Sequence, residues 1–295
     1  MSRNSSIITI NSSNSTVTDN NTYEYQLRNT LEISNMEIAL VSGFLYNSVY
    51  NVVANSYQNN TFAYKYPDGS GGMTTYQIDM PDGNYSIDQL LAYLQAQMVT
   101  NGTYLEPTSD EYEPLFFINW NVNAVYYAVT LTIDPVPTTL PTGYALPSGA
   151  PPLPAIATTP QLVIPTILQG NRQNQGFSYL IGFSAGSYPS ATQSTQYSSN
   201  SNTSVQINPQ YAFNVCTTLV NQPMLNSVPS MIYPFSFTAD YQALQIIEPS
   251  KDKFYSCKNG SYSSIEVSIK DQAGNPAILN DSQASFTLEL RSYSK

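Results

Sequence analysis

Two segments decide the fold: Ile265-Glu266-Val267-Ser268-Ile269 and Ala284-Ser285-Phe286-Thr287-Leu288-Glu289-Leu290. In both segments every second residue is apolar, a period that predicts a β-strand with one buried face. The residues between them, Asp271–Asp281, are too many for the two-residue turn of a tight hairpin, and they can carry the chain to a facing sheet. A sandwich of antiparallel sheets that ends in such a pair is typical of a jelly roll. We therefore predict an all-β, single jelly-roll fold.

The composition favours a protein that contacts other proteins over much of its surface. Only 10% of the 295 residues are charged, whereas a typical soluble domain has about 25%. The polar character comes instead from Asn, Ser, Thr, Gln and 24 tyrosines, which lose less hydration free energy on burial than charged groups do. The net charge of −10, with only ten scattered Lys and Arg, argues against direct binding of nucleic acid.

The residues that most often perform catalysis are scarce. The chain has no histidine, which excludes Ser–His and Cys–His nucleophile systems. It also lacks a P-loop, a GxGxxG motif and paired CxxC motifs. We therefore predict that the protein is not an enzyme and has no catalytic residue, no cofactor and no metal site.

Acidic residues leave two weaker alternatives open. The densest acidic cluster could bind a hard cation such as Ca²⁺, but its spacing matches no metal-binding loop, so a solvated acidic loop is favoured. This cluster comprises Glu106, Asp110, Glu111 and Glu113. Asp82, paired with either Asp68 or Asp79, could act as general acid and base on a glycoside. The Asp-Gly dipeptides at residues 68 and 82 are better explained by the chemistry of turns.

Trp120, the only tryptophan, lies between two asparagines and could stack on a sugar, although a place in the core is the favoured interpretation. Cys216 and Cys257 have neither zinc-site nor redox spacing, so we interpret them as buried thiols, with a disulfide as the less favoured alternative. No apolar run approaches the roughly 20 residues of a membrane span, and the first residues lack a signal-peptide core. We expect a soluble protein made in a cytosol-like compartment.

One amphipathic helix interrupts the strand pattern. Ser86 and Gln89 have the spacing of a capping box, which predicts a helix that begins after Ser86 and ends at Asn101-Gly102. Its apolar residues recur every three or four positions and form one stripe, which indicates packing against the core. They are Ile87, Leu90, Leu91, Leu94 and Met98.

The two ends of the strand pattern suggest the domain organisation. Residues 1–21 are mostly Ser, Asn and Thr, with one β-branched run at residues 7–10. We predict a flexible N-terminal arm that carries one strand, which pairs only on docking, and whose residues 1–18 are dispensable for folding. We predict that residues 22–295 form the jelly-roll domain. The dense prolines of residues 135–165 cannot lie in central strands, so we predict a loop-rich insertion at about residues 135–210, with a short strand at Leu162–Ile164.

Several motifs resemble one family of viral proteins. The two most specific are Pro81-Asp82-Gly83-Asn84-Tyr85-Ser86-Ile87, which continues into the helix, and Tyr179-Leu180-Ile181-Gly182-Phe183, followed by Gly186 and Tyr188-Pro189. Weaker matches are Asn35–Leu40, Tyr126–Val129, Asp271-Gln272 and Asn275-Pro276. Together they span most of residues 22–291. In these motifs the chain resembles the penton, or minor capsid, proteins of virophages and Polinton-like double-stranded DNA viruses.

The resemblance implies a structural role in a virion. Five copies would surround the vertex of an icosahedral shell and contact neighbouring capsomers of a larger, double jelly-roll major capsid protein, after assembly in the host cell cytoplasm. The expected partners are four further copies of the chain and the major capsid protein, with no direct nucleic-acid contact and no membrane span. The alternative is a carbohydrate- or receptor-binding β-sandwich, such as a spike or lectin, that uses Trp120 and tyrosines.

Overall fold

The computed structural model describes residues 5–123, 125–166, 176–220, 228, 230–251 and 253–292. Every strand pair between the elements of these ranges is antiparallel. The elements, in chain order, are β1 (Ser5–Asn11), β2 (Thr16–Thr18), β3 (Thr22–Ile33), β4 (Met36–Tyr46), β5 (Thr61–Pro67), β6 (Met73–Asp79), α1 (Ile87–Thr100), β7 (Glu106–Pro107), β8 (Ile118–Asn123), β9 (Ala128–Ile133), β10 (Tyr144–Ala145), β11 (Gln161–Ile164), α2 (Phe177–Ile181), β12 (Gly186–Tyr188), β13 (Tyr197–Asn200), β14 (Phe213–Thr217), β15 (Met231–Phe235), β16 (Leu244–Ile247), β17 (Tyr255–Ser256), β18 (Gly260–Asp271) and β19 (Ala284–Ser292).

The chain divides into two compact units, each with its own hydrophobic core. Unit 1 comprises Met1–Tyr50 and Gln210–Lys295, and unit 2 comprises Asn51–Pro209. Unit 2 is therefore inserted in the sequence between β4 and β14 of unit 1.

Unit 1 has the strand order of a jelly roll. Sheet 1 has the order β1-β19-β4-β16, with β17 also paired to β4, and sheet 2 has the order β15-β14-β18-β3-β2. Without the short β2 and β17, eight strands remain, and they pair from the outside of the sequence inward: β1 with β19, β3 with β18, β4 with β16 and β14 with β15. A chain that pairs in this nested way and rolls into two sheets is a jelly roll, so the predicted fold is confirmed.

The alternating apolar residues of β18 and β19 make the core of this roll. Ile265, Val267 and Ile269 of sheet 2 and Phe286, Leu288 and Leu290 of sheet 1 are buried in one cluster. The ring of Phe286 meets the ring of Tyr23 from sheet 2 edge to face, with centroids 5.6 Å apart. The long link after β18 therefore does carry the chain to the facing sheet, as its length predicted.

That link is held by its first residue. Asp271 is buried, and its Oδ1 accepts hydrogen bonds from the backbone N–H groups of Ala273 and Asn275, both at 2.9 Å. Gly274 has a φ of +85°, a conformation that glycine adopts without a steric penalty. The carboxylate of Asp271 therefore stabilises the turn by accepting two of its backbone N–H groups.

The N-terminal residues differ from the predicted arm. Ser5–Asn11 form β1, which pairs with β19 along its whole length, from Ser5 opposite Arg291 to Asn11 opposite Ser285. Ile10 is completely buried in the core of unit 1. The β-branched run Ile7–Ile10 predicts a strand, but composition does not show that its partner is β19 of the same chain. The flexibility of the arm stays a prediction, but Ser5–Asn11 are the first strand of the roll.

In the part of the chain that the structure describes, unit 2 contains three sheets and the main helix. One sheet has the order β12-β11-β5-β6, another β13-β9-β8, and β10 pairs with β7. The predicted capping box is present, since Gln89 N donates to Ser86 Oγ at 3.1 Å and Ser86 N donates to Gln89 Oε1 at 2.8 Å. Helix α1 buries Ile87, Leu90, Leu94 and Met98 in the core of unit 2. A second, five-residue helix, α2, was not predicted because it is too short to show a period.

The inserted unit is longer than the insertion predicted at about residues 135–210, since it begins at Asn51. Its strands β5, β6, β8 and β9 alternate as those of the roll do, and alternation shows that a strand has a buried face without showing which sheet it joins. The predicted strand at Leu162–Ile164 is confirmed within β11, which lies between β12 and β5. The prolines of residues 135–165 all lie outside strands, as expected.

The register of β19 can be tested by a matched pair of substitutions. Phe286→Ala should lower the free energy of unfolding by about 3–5 kcal/mol, because it leaves a cavity between the sheets. Thr287→Ala should change it by no more than about 0.5 kcal/mol, because that side chain faces outward. Denaturant unfolding measures both, and a neutral Phe286→Ala with a damaging Thr287→Ala would mean that the register is reversed.

A second pair tests whether β1 is part of the roll. Ile10→Ala should cost about 2–5 kcal/mol, because Ile10 is fully buried. Ile7→Ala, three residues earlier in the same strand, should cost no more than about 0.5 kcal/mol in dilute protein, because Ile7 is 69% exposed. Equal, negligible costs would mean that the N-terminal segment is a free arm.

Candidate functional site

The most unusual surface of unit 1 is an exposed group of large apolar side chains on sheet 1. The register places Tyr46 opposite Leu244 and Phe44 opposite Ile246 on neighbouring strands. Cross-strand partners point to the same face of a sheet, so the four side chains form one continuous patch on the outer face. Each is between 36% and 49% exposed. We call these four residues the lateral patch.

The opposite edge of sheet 1 carries another exposed apolar side chain, Ile7 of β1. Ser12 N donates to Ala284 O at 3.0 Å, so the even-numbered residues of β1 direct their backbone groups toward β19. The odd-numbered residues face away. The side chain of Asn14 bonds two of their groups, Thr9 O at 2.9 Å and Asn11 N at 2.8 Å. The Asn14 side chain thus covers the outward backbone groups of Thr9 and Asn11. Ile7 lies farther along the same edge and remains exposed.

The residues between these two edges are polar. On the outer face of β19 the alternating residues are Ser285, Thr287 and Glu289. Arg291, at the end of the strand, forms an ion pair with Glu37 and lies over the ring of Phe254, with 3.2 Å from Cζ to the centroid. Exposed apolar surface on sheet 1 is thus confined to its two sides.

Sheet 2 has a different outer surface and different edges. Glu24 of β3 lies directly opposite Glu266 of β18, and Lys270 follows on the same face of β18. One edge strand, β15, contains Pro234, which has no N–H to offer a further strand. The other edge strand, β2, has only three residues. The edges of sheet 2 are therefore less suited than those of sheet 1 to pairing with, or packing against, another chain.

Unit 2 has its own exposed apolar feature at the turn of the β8–β9 hairpin. Val122, Val125, Tyr126 and Tyr127 are all more than half exposed. Unit 2 is also strongly acidic, with Lys65 and Arg172 as its two cationic residues against nine Asp and Glu, a net charge of −7. Its surface disfavours polyanionic partners such as nucleic acids.

The structure accounts for the aspartates that the glycosidase alternative would need. Asp68 Oδ1 accepts hydrogen bonds from the N–H groups of Ser70 (2.8 Å) and Gly72 (2.9 Å), and these bonds lower the pKa of the exposed carboxyl. Asp82 Oδ1 accepts one from Ala54 N at 2.7 Å, and Asp79 Oδ1 accepts one from Thr61 Oγ1 at 3.1 Å. Each carboxylate therefore has a local structural role at a turn or strand end.

The other candidates also have structural places. Asp110, Glu111 and Glu113 are exposed in the loop after Glu106 of β7, and no group of three metal-ligating side chains occurs in the ranges that the structure describes. Trp120 is 4% exposed, and its Nε1 donates to Ile87 O at 3.1 Å, so its ring belongs to the core of unit 2. It is not available to stack on a sugar.

The two thiols are unsuited to nucleophilic chemistry. Cys216 and Cys257 are not disulfide-bonded; Cys216 is buried and Cys257 is half-buried. Burial raises the pKa of Cys216 to about 11 and that of Cys257 to about 12. Both are therefore protonated at neutral pH, and the protonated thiol is a weak nucleophile. Neither helix in the described ranges is long and apolar enough to span a membrane.

Comparisons with known proteins found structural similarities only. No protein-family model and no curated protein matches the chain. Solved structures similar to it include the mavirus penton protein, with 9% identity, a TM-score of 0.43 and coverage of 99% of this chain and 100% of the other. They also include the Sputnik virophage structure, with 10% identity, a TM-score of 0.40 and coverage of 98% of both chains. The jelly-roll fold follows from the strand order and does not depend on these similarities.

Proposed function

We propose that this chain is a structural protein of a viral capsid, which assembles as a homopentamer at the fivefold vertex of an icosahedral shell and contacts the neighbouring major capsid protein. Its place is then the virion, with assembly in the host cell cytoplasm. The observation that carries the proposal is the lateral patch on the outer face of the jelly roll. An exposed apolar group of this kind is typical of protein–protein contacts.

A ring of identical subunits places a specific demand on the surface. In a closed ring with head-to-tail contacts, each subunit must present two different faces, one to each neighbour. Unit 1 offers exposed apolar side chains at two separate edges of the same sheet, Ile7 at one and the lateral patch at the other. The motif resemblance to penton proteins supports the same assembly, because a penton occupies a fivefold axis.

The fold alone does not decide the function, since jelly rolls also occur in lectins. A carbohydrate- or receptor-binding spike remains the second candidate because Tyr126 and Tyr127 are exposed at a hairpin turn, where aromatic rings can contact a ligand. The burial of Trp120 removes the residue on which that candidate most depended.

The mass of the assembled protein tests the proposal. Native mass spectrometry of the full chain should show a species of five times the 32.5 kDa chain mass. Because the proposed contacts are mainly apolar, raising the salt concentration should not dissociate it. A chain that stays monomeric at high concentration, even with the major capsid protein present, would contradict the proposal. A stable trimer that binds glycans would instead support the spike.

A further inference from the structure

We propose that the lateral patch of one copy packs against the Ile7 side of sheet 1 in the next copy, so that the two edges of this sheet form the subunit contact of the ring. The inference rests on the proposed function, because it requires assembly of identical copies. It goes further by assigning the contact to five side chains, those of Ile7, Phe44, Tyr46, Leu244 and Ile246.

The position of these residues fits two different neighbours. Sheet 1 has the order β1-β19-β4-β16, so β1 and β16 are its opposite edges. The lateral patch extends onto β4, so two strand spacings of about 4.8 Å, or roughly 10 Å, separate it from β1. With polar residues along β19 between them, Ile7 and the lateral patch are separate apolar areas that two neighbours can cover at the same time.

Charge favours a second copy as the occupant. Two copies that each carry a net charge of −10 repel one another, and the repulsion is smallest when the contact surfaces carry no charge. β1 and β16 contain no Asp, Glu, Lys or Arg, and the lateral patch carries no carboxylate that would repel Glu289, the residue opposite Ile7 on the outer face. A basic partner would find better complementarity on unit 2, with its net charge of −7.

The contact at β16 is made by side chains, and one backbone acceptor on this edge, Ile246 O, is already bonded. Gln245 Nε2 donates to Ile246 O at 2.8 Å, and Gln245 Oε1 accepts from Thr238 N at 2.8 Å and Ala239 N at 3.1 Å. These bonds attach residues 238–239 to the strand. They leave Leu244 and Ile246 exposed on the outer face, where an apolar side chain such as Ile7 can pack.

Cysteine cross-linking in the assembled full-length chain tests this contact. Ile7→Cys and Ile246→Cys are made separately in a Cys257→Ser background, and the two variants are mixed, assembled and treated with a short bismaleimide. Because a real contact holds the thiols at high effective concentration, the mixture should give about tenfold more covalent dimer than either variant alone. The matched control replaces Ile246→Cys by Ile156→Cys, an isoleucine of unit 2 that is 73% exposed, and should give only background.

The variant that combines both cysteines extends the test. It should give a covalent ladder that ends at the full ring, because each subunit then bonds to two neighbours. Strong dimer formation by Ile246→Cys alone would overturn the inference, because it indicates that identical patches meet. An oligomer of unchanged mass without cross-links between residues 7 and 246 would also overturn it, while leaving the proposed function intact. A chain that never assembles would contradict the proposed function itself.

An affinity measurement keeps the inference testable without cross-linking. Leu244→Ser with Ile246→Ser should raise the dissociation constant of the oligomer by about tenfold or more, since removal of about 1.4 kcal/mol of contact free energy gives a factor of ten. Ile156→Ser should leave it unchanged. Equal effects from the two changes, or no effect from the first, would contradict the assigned contact.

Discussion

The pairing of β1 with β19 is the constraint on which the rest of unit 1 depends. It joins the first strand of the roll to the last, and inside it the other strand pairs are nested. With β1 in place, β19 becomes a central strand, and its row of buried residues from Ala284 to Leu290 is enclosed between the sheets. Without β1, β19 would be an edge strand and Ile10 would leave a gap beside Phe286, its cross-strand neighbour.

The nested pairing also explains how the chain accommodates an inserted unit. The strands on either side of unit 2, β4 and β14, lie in different sheets and do not pair with each other. Their connection can therefore lengthen without disturbing any ladder of the roll. The entropic cost of a longer connection is small, at about 0.6 kcal/mol for each doubling of a flexible loop. Unit 2 has its own core, so it adds stability of its own as it folds.

The sequence predicted the features that depend on local pattern. The period of β18 and β19, the long link between them and the capping box of α1 each have a chemical cause within a few residues. It could not predict the partners of strands distant in sequence, so the strand at residues 7–10 was assigned to an arm that pairs only on docking, and the predicted insertion began too late. The lateral patch was also missed. Phe44 and Tyr46 look like core residues until the register shows that they share the outer face with Leu244 and Ile246.

Hydrogen exchange of the β1 amides, resolved by residue, tests the central claim most directly. If β1 closes the roll, the amides of Ser6, Ile8 and Ile10 donate to β19 and should exchange at least about a thousandfold more slowly than in an unfolded chain, because only opening of the roll exposes them. The amide of Ile7, which faces away from β19, should exchange much faster in the unassembled protein. Uniformly fast exchange across residues 5–11 would contradict the account, because it would mean that these residues form a free arm and that the roll closes without them.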